Sequence, residues 1–304
     1  MRIPSALAIL LPLTAVALVA QPAGAAPGSL PDVASGHRPG PDILYAPPAT
    51  APQLTNAAPF AAPPILVSGA TAYRNGEFLY QDFLYDDHGA DGGQRDPNDP
   101  RTRGDLFSDP DGTYTYPTDS RYAGNAADLV EFRVKPLGDA TAFRITLNTL
   151  KDASLVAGTI VIGTSAAPVA LPHGANATAP GRYFLTWHGT SADLLDATGA
   201  AVGATAPSVG VDMTRRQVTI SVPHADWTPQ GVVRLAAGVG LWDTAAGKYL
   251  IPQNSADATH AGGAGTLSNP EAFFNVAFRS AEPTPQVGDV AGTAIAAAWW
   301  RDHD

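Results

Sequence analysis

The chain has 304 residues, 45% of them hydrophobic, with a formal net charge of −10 and no cysteine. That length can bury a sizeable core unaided, and the lack of thiols excludes disulfides, thiolate metal sites and a cysteine nucleophile. The acidic balance, with no Lys/Arg cluster, argues against nucleic acid and against an anionic membrane surface as partners.

Residues 1–25 read as an export signal. Arg2 precedes an apolar run from Ala6 to Ala20, shorter than the roughly 20 residues of a spanning helix. Ala23-Gly24-Ala25 then offers a small-x-small cleavage site, so a secreted or cell-surface location is expected. No later apolar run is long enough to span a bilayer. Residues 26–64 hold ten prolines and few charges. Such a segment favours extended chain, read here as a Pro/Ala-rich linker, with a course along the domain surface as the alternative.

From 65 to 280 the dominant signal is period-2 alternation. Val130, Phe132 and Val134 alternate with Glu131 and Arg133, and Phe143, Ile145 and Leu147 with Arg144 and Thr146. Val218, Ile220 and Val222 repeat the pattern. One buried and one wet face is the habit of antiparallel sheets. With turn signals at short intervals, this predicts a mainly β chain, an antiparallel β-sandwich of about 8–12 strands. In the last segment, 281–304, the Ala-rich run Asp289–Trp300 predicts a short C-terminal helix. That helix either docks on the sandwich or leads into a further domain.

The stretch Glu77–Asp111 holds ten acidic and three basic residues. It begins as a strand and continues as a Gly- and Pro-punctuated loop. Asp109-x-Asp111-Gly112 can turn two carboxylates toward one point, and Asp86, Asp87 and Asp91 can join them. Hard oxygen donors without sulfur suit Ca²⁺; the alternative is a solvated loop that caps its own turns. The scattered histidines show no HxxxH spacing, which argues against zinc. For a ligand, Tyr114 and Tyr116 fall on one side of a short strand beside the acids. Their rings offer a stacking platform for sugar, with Asp105 and Asp128 as hydroxyl acceptors. Trp187 and Trp242 lie on predicted strands and read as core rather than platform; Trp227 is a further platform candidate.

The segments GEFLYQDFLYDDHGA, GTYTYPTD, NAADLVEFRV and TAFRITLNTL together resemble the binding module at the C-terminus of bacterial glucodextranase. Similar modules lie near the sandwich domains called DOMON-like. The resemblance spans roughly 75–280 and is most specific at Tyr114-Thr-Tyr116-Pro117 and Ala127-Asp128-Leu129. It implies a β-sandwich that attaches to carbohydrate or the cell envelope and performs no catalysis. Here the acids before Tyr114 are spaced, Asp109-Pro110-Asp111, where the family pattern has an adjacent pair, and the module directly follows the signal.

The first reading is therefore a secreted, non-catalytic module that holds polysaccharide or cell-wall glycan. A second is an accessory domain of a hydrolase whose catalytic domain lies downstream. A third is a glycosidase using the acidic loop, since carboxylate pairs can assemble in three dimensions unseen in the sequence.

Overall fold

The computed structural model describes residues 54–89, 113–122, 124–163, 167–265, 269–277 and 293–297, all within one compact unit, Gly40–Asp304. The expected signal, most of the Pro-rich segment, and Asp91, Asp105, Asp109 and Asp111 lie outside the described residues. No helix among those residues is long and apolar enough to cross a membrane.

The strands in chain order are β1 (Thr71–Arg74), β2 (Glu77–Gln81), β3 (Leu129–Pro136), β4 (Ala140–Leu147), β5 (Val156–Ile162), β6 (Val169–Ala170), β7 (Thr178–Ala179), β8 (Tyr183–His188), β9 (Ser191–Asp196), β10 (Ser208–Asp212), β11 (Gln217–Pro223), β12 (Gly231–Asp243), β13 (Lys248–Tyr249), β14 (Phe273–Ala277) and β15 (Thr293–Ala297). One sheet has the order β1-β2-β3-β4-β11-β10. The other runs β13-β12-β5-β8-β9, with β14 and β15 also on the outer edge of the long β12; β6 and β7 pair apart. All pairings are antiparallel except β12 with β15.

The two sheets share one core. Phe78, Phe132, Phe143, Ile145, Val218 and Ile220 come from the first, and Ile160, Leu185, Trp187, Val239 and Leu241 from the second. The predicted mainly β, antiparallel architecture is therefore what the chain forms. Trp187 and Trp242 are buried in the core. Trp187 fits because its partner across the ladder is Gly158. A Cβ there would stand 2.7 Å from the Trp187 indole nitrogen and 3.0 Å from the Gly238 carbonyl oxygen.

Two expectations are corrected. No helix forms at the C-terminus where residues are described. Thr293–Ala297 is a strand laid parallel along Gly231–Leu235 of β12, because an unfilled edge on β12 outweighs the intrinsic helical preference of alanine. Nor is the second face of the first sheet wet, since Glu131, Arg133, Arg144 and Thr146 are all buried.

The cover comes from the chain ahead of β1. Phe60, Ala62 and Ile65 are buried, and Ile65 and Ala62 pack on Leu79. Glu77 accepts from the backbone N–H of Ala61 (2.6 Å) and Ala62 (3.1 Å). Beneath, Arg133 holds Glu131 through two 2.7 Å bonds and donates to Glu77 at 3.1 Å. Arg144 donates to the same Glu131 at 2.7 Å and lies 4.8 Å from the Phe60 ring centre. Lys135 donates to Glu77 and to the Pro59 carbonyl. The end of the Pro-rich segment is thus a strap over a layer of paired charges.

Candidate functional site

The acidic stretch enters the structure just after β2. Tyr85 has φ +62°, a left-handed conformation rare outside glycine, and its N–H donates to Asp128 at 3.0 Å. This turn carries Asp86 and Asp87 inward instead of into solvent. Asp128 lies immediately before β3, so the end of one strand and the start of the next present their acids to one place. Asp82, Asp86, Asp87 and Asp128 are all buried.

Asp128 also accepts from Asn148 (2.8 Å), Asp82 from the Tyr80 hydroxyl (3.0 Å), and Asp87 from the Tyr116 hydroxyl. Burial, reinforced by the negative charges of Asp82, Asp128 and Asp87, holds the Asp86 carboxyl well above the usual carboxylate range. Burial and the charge of Asp87 do the same to Asp128, against the bonds from Tyr85 and Asn148. Burial raises Asp87 too, partly countered by Tyr116 and His88. Among the described residues, no three His, Asp or Glu side chains surround one point as a metal shell of such groups would.

Of the residues singled out in the sequence, Asp86, Asp87, Asp128 and Tyr116 therefore come together. Tyr114 and Tyr116 do share a side, each packing against Phe274 at 5.4 and 4.6 Å between ring centres. That side is the interior. Tyr114 is 1% and Tyr116 9% exposed, and the hydroxyl of Tyr114 donates to the Glu271 carbonyl. The Ala127 N–H donates to Tyr116. Gly89 sits directly against the Tyr114 ring, where a Cβ would fall 2.1 Å from it. The expected stacking platform is instead a structural pin, because the two rings and both hydroxyls have internal partners.

An open aromatic surface exists elsewhere. A groove of about 560 Å³ is lined by Ile162, Gly163, Arg182, Tyr183, Asp226, Trp227, Thr228, Gln230 and Val233. It lies where the chain crosses from β11 of one sheet to β12 of the other, against the end of β5 and the start of β8. Tyr183 and Trp227 are half-buried, with Arg182, Thr228 and Gln230 exposed around them.

Trp227 is seated by Phe143, 6.0 Å away between ring centres. Its loop is closed by N–H bonds from Asp226 and Trp227 to the Pro223 carbonyl and by the Thr228 hydroxyl on the His224 carbonyl (2.8 Å). The Arg182 guanidinium lies 5.3 Å from the centre of the Tyr183 ring. The rings of Tyr183 and Trp227 line the groove with aliphatic Ile162 and Val233 and polar Arg182, Asp226, Thr228 and Gln230, a mixture of the kind that can contact the C–H face of a sugar and bond its hydroxyls. Sequence reasoning kept Trp227 as a platform candidate apart from the strand tryptophans, but named neither Tyr183 nor Arg182. The signal was its setting, Pro223-His-Ala-Asp-Trp-Thr-Pro229, a tryptophan in a Pro-bounded connection.

Residues 105–157 match the family model of the C-terminal binding module, SLH-like, of glucodextranase. The match takes in Tyr114, Tyr116, Asp128, β3 and β4, and leaves the groove outside it. No curated protein matches the chain. The family match gives the chain a likeness to modules that bind carbohydrate or the cell surface.

Proposed function

We propose that this chain is a secreted, non-catalytic module that retains a glycan, and with it any attached enzyme, at a polysaccharide or cell-wall surface. The observation that carries the reading is the groove, where Tyr183 and Trp227 stand half-open among Arg182, Asp226, Thr228 and Gln230. The family match over 105–157 supports the same class of role. Among the described residues the groove is lined by one carboxylate, Asp226, whereas glycoside hydrolysis ordinarily uses two flanking the scissile bond. Asp226 also accepts from the Ala204 N–H at 3.2 Å, which suits a fixed hydroxyl acceptor better than a general acid. Retention on a matrix raises the effective concentration of whatever is linked to the module.

The test is retention on insoluble α-glucan and on purified cell-wall matrix. Wild-type protein is expected to bind at least one of them, and Trp227→Ala and Tyr183→Ala to elute with the unbound fraction while keeping wild-type circular dichroism. Retention that survives both substitutions would move the site away from the groove.

A further inference from the structure

The sandwich buries two sets of acids and treats them differently. Under the strap, Glu77 and Glu131 are met by Arg133, Arg144 and Lys135. In the second set Asp86 is 4%, Asp87 1% and Asp128 0% exposed. Among the described residues none of these three has a Lys or Arg partner, and the strongest charges acting on Asp86 are Asp82, Asp128 and Asp87, all negative. Buried charge is tolerated when it is paired or coordinated, so this set lacks the Lys and Arg counter-charge of the first set, with His88 acting on Asp87 alone.

A separate observation comes from the other sheet. Asn275 on β14 is 0% exposed and donates its side-chain N–H to Asp86 Oδ1 at 2.6 Å, which places its amide head within the acidic nest. Among the described residues the amide oxygen of Asn275 has no hydrogen-bond partner, and neither does Asp128 Oδ1. Two enclosed oxygens of this kind call for a donor or a cation. A proton can settle an acid, but an amide oxygen does not take one near neutral pH; a hard cation serves both. Oxygen donors without sulfur or imidazole, in a mixed set of carboxylate and amide, suit Ca²⁺, which accepts variable geometry; Mg²⁺ insists on an octahedron and holds its waters.

We propose that the nest binds one Ca²⁺ through Asp86, Asp128 and the side-chain oxygen of Asn275, with Asp82 and Asp87 supplying further negative field. A shell with two carboxylates, an amide and water agrees with the absence of a three-carboxylate cluster. Its ligands come from the segment after β2, the residue before β3, and β14, so the ion ties one sheet to the other.

The test uses the full chain after chelator dialysis. Tb³⁺ luminescence excited through tyrosine reads occupancy directly, since Tyr116 touches Asp87 and Tyr80 touches Asp82. Ca²⁺ is expected to displace Tb³⁺ from one saturable site per chain, and melting temperature to climb with the logarithm of free Ca²⁺. Asp128→Asn and Asn275→Ala each alter a direct ligand and are expected to weaken the Ca²⁺ competition by about tenfold or more, at least as much as loss of an outer-shell partner does at other metal sites. If Asp128→Asn does not fold, Asn275→Ala and the wild-type titration carry the result. The proposal is overturned by the absence of a saturable signal. It is equally overturned by undiminished binding in Asn275→Ala, which would put the ion on the acids of 91–111. A melting temperature that responds to acid but not to Ca²⁺ would assign the nest to protons and overturn it too.

Discussion

Trp187 and Trp227 place the same indole in opposite circumstances, and substitution separates them. Trp187 is fully enclosed, so Trp187→Ala is expected to cost about 3–5 kcal/mol in urea unfolding. Trp227 is half-buried against Phe143, so Trp227→Ala is expected to cost under about 2 kcal/mol while abolishing glycan retention. Glu77 makes a pH statement. Burial opposes its ionisation, but the bonds from Ala61, Lys135 and Ala62 overcome this, so its folded value lies below the ordinary 4.5. A carboxyl lowered on folding contributes stability above its unfolded value and loses it as pH falls through the folded one. The acid limb of the stability profile, below about 4.5, is therefore expected to be shallower in Glu77→Gln, measured by urea unfolding across pH. Residue by residue, the sequence showed that Tyr114 and Tyr116 point the same way. It could not show which way is inside, because the acceptor of Tyr114 is Glu271, 157 residues distant, and that of Tyr116 is Asp87 across the acidic loop.

Whole elements were more legible. β3, β4 and β11 follow the alternation of their sequence, and the predicted sandwich rests on them. Alternation fails as a guide to exposure at Glu131, Arg133 and Arg144, since the period says which residues share a face and nothing about what covers it. Composition failed for Thr293–Ala297, where a neighbouring strand edge decided the conformation. The pairing of β5 with β8 supplies a test at this scale. Gly158 is the place where Trp187 and the Gly238 carbonyl approach the backbone. Gly158→Ala is expected to destabilise by about 1–3 kcal/mol through overpacking, whereas Gly199→Ala, in a turn with open space but φ +83°, would act only through local backbone strain. Equal effects, compared by thermal unfolding, would mean that the indole can shift aside.

For the whole molecule, the groove joins Tyr183 and Trp227 to a chain of net charge −10. Retention on a neutral glucan is expected to be nearly unchanged between low and about 0.5 M salt, because stacking and hydroxyl bonding are not screened, while an anionic cell-wall polymer is expected to be held more firmly as salt rises. Matrix binding across a salt series reads both. The groove was the least legible part of the molecule: its residues come from β5, β8, β12 and the β11–β12 connection, and only the fold assembles them. The strap has a consequence for where the domain starts. Arg133 and Arg144 are insulated from water by Phe60, Ala62 and Ile65, so the watertight boundary of the fold lies upstream of its first strand. A chain shortened to begin at Leu66 would keep every strand and still leave that ionic layer open on one side. Cuts on the C-terminal side of Phe60 are therefore expected to unfasten the sheet's outer skin, which limited proteolysis followed by urea unfolding would read.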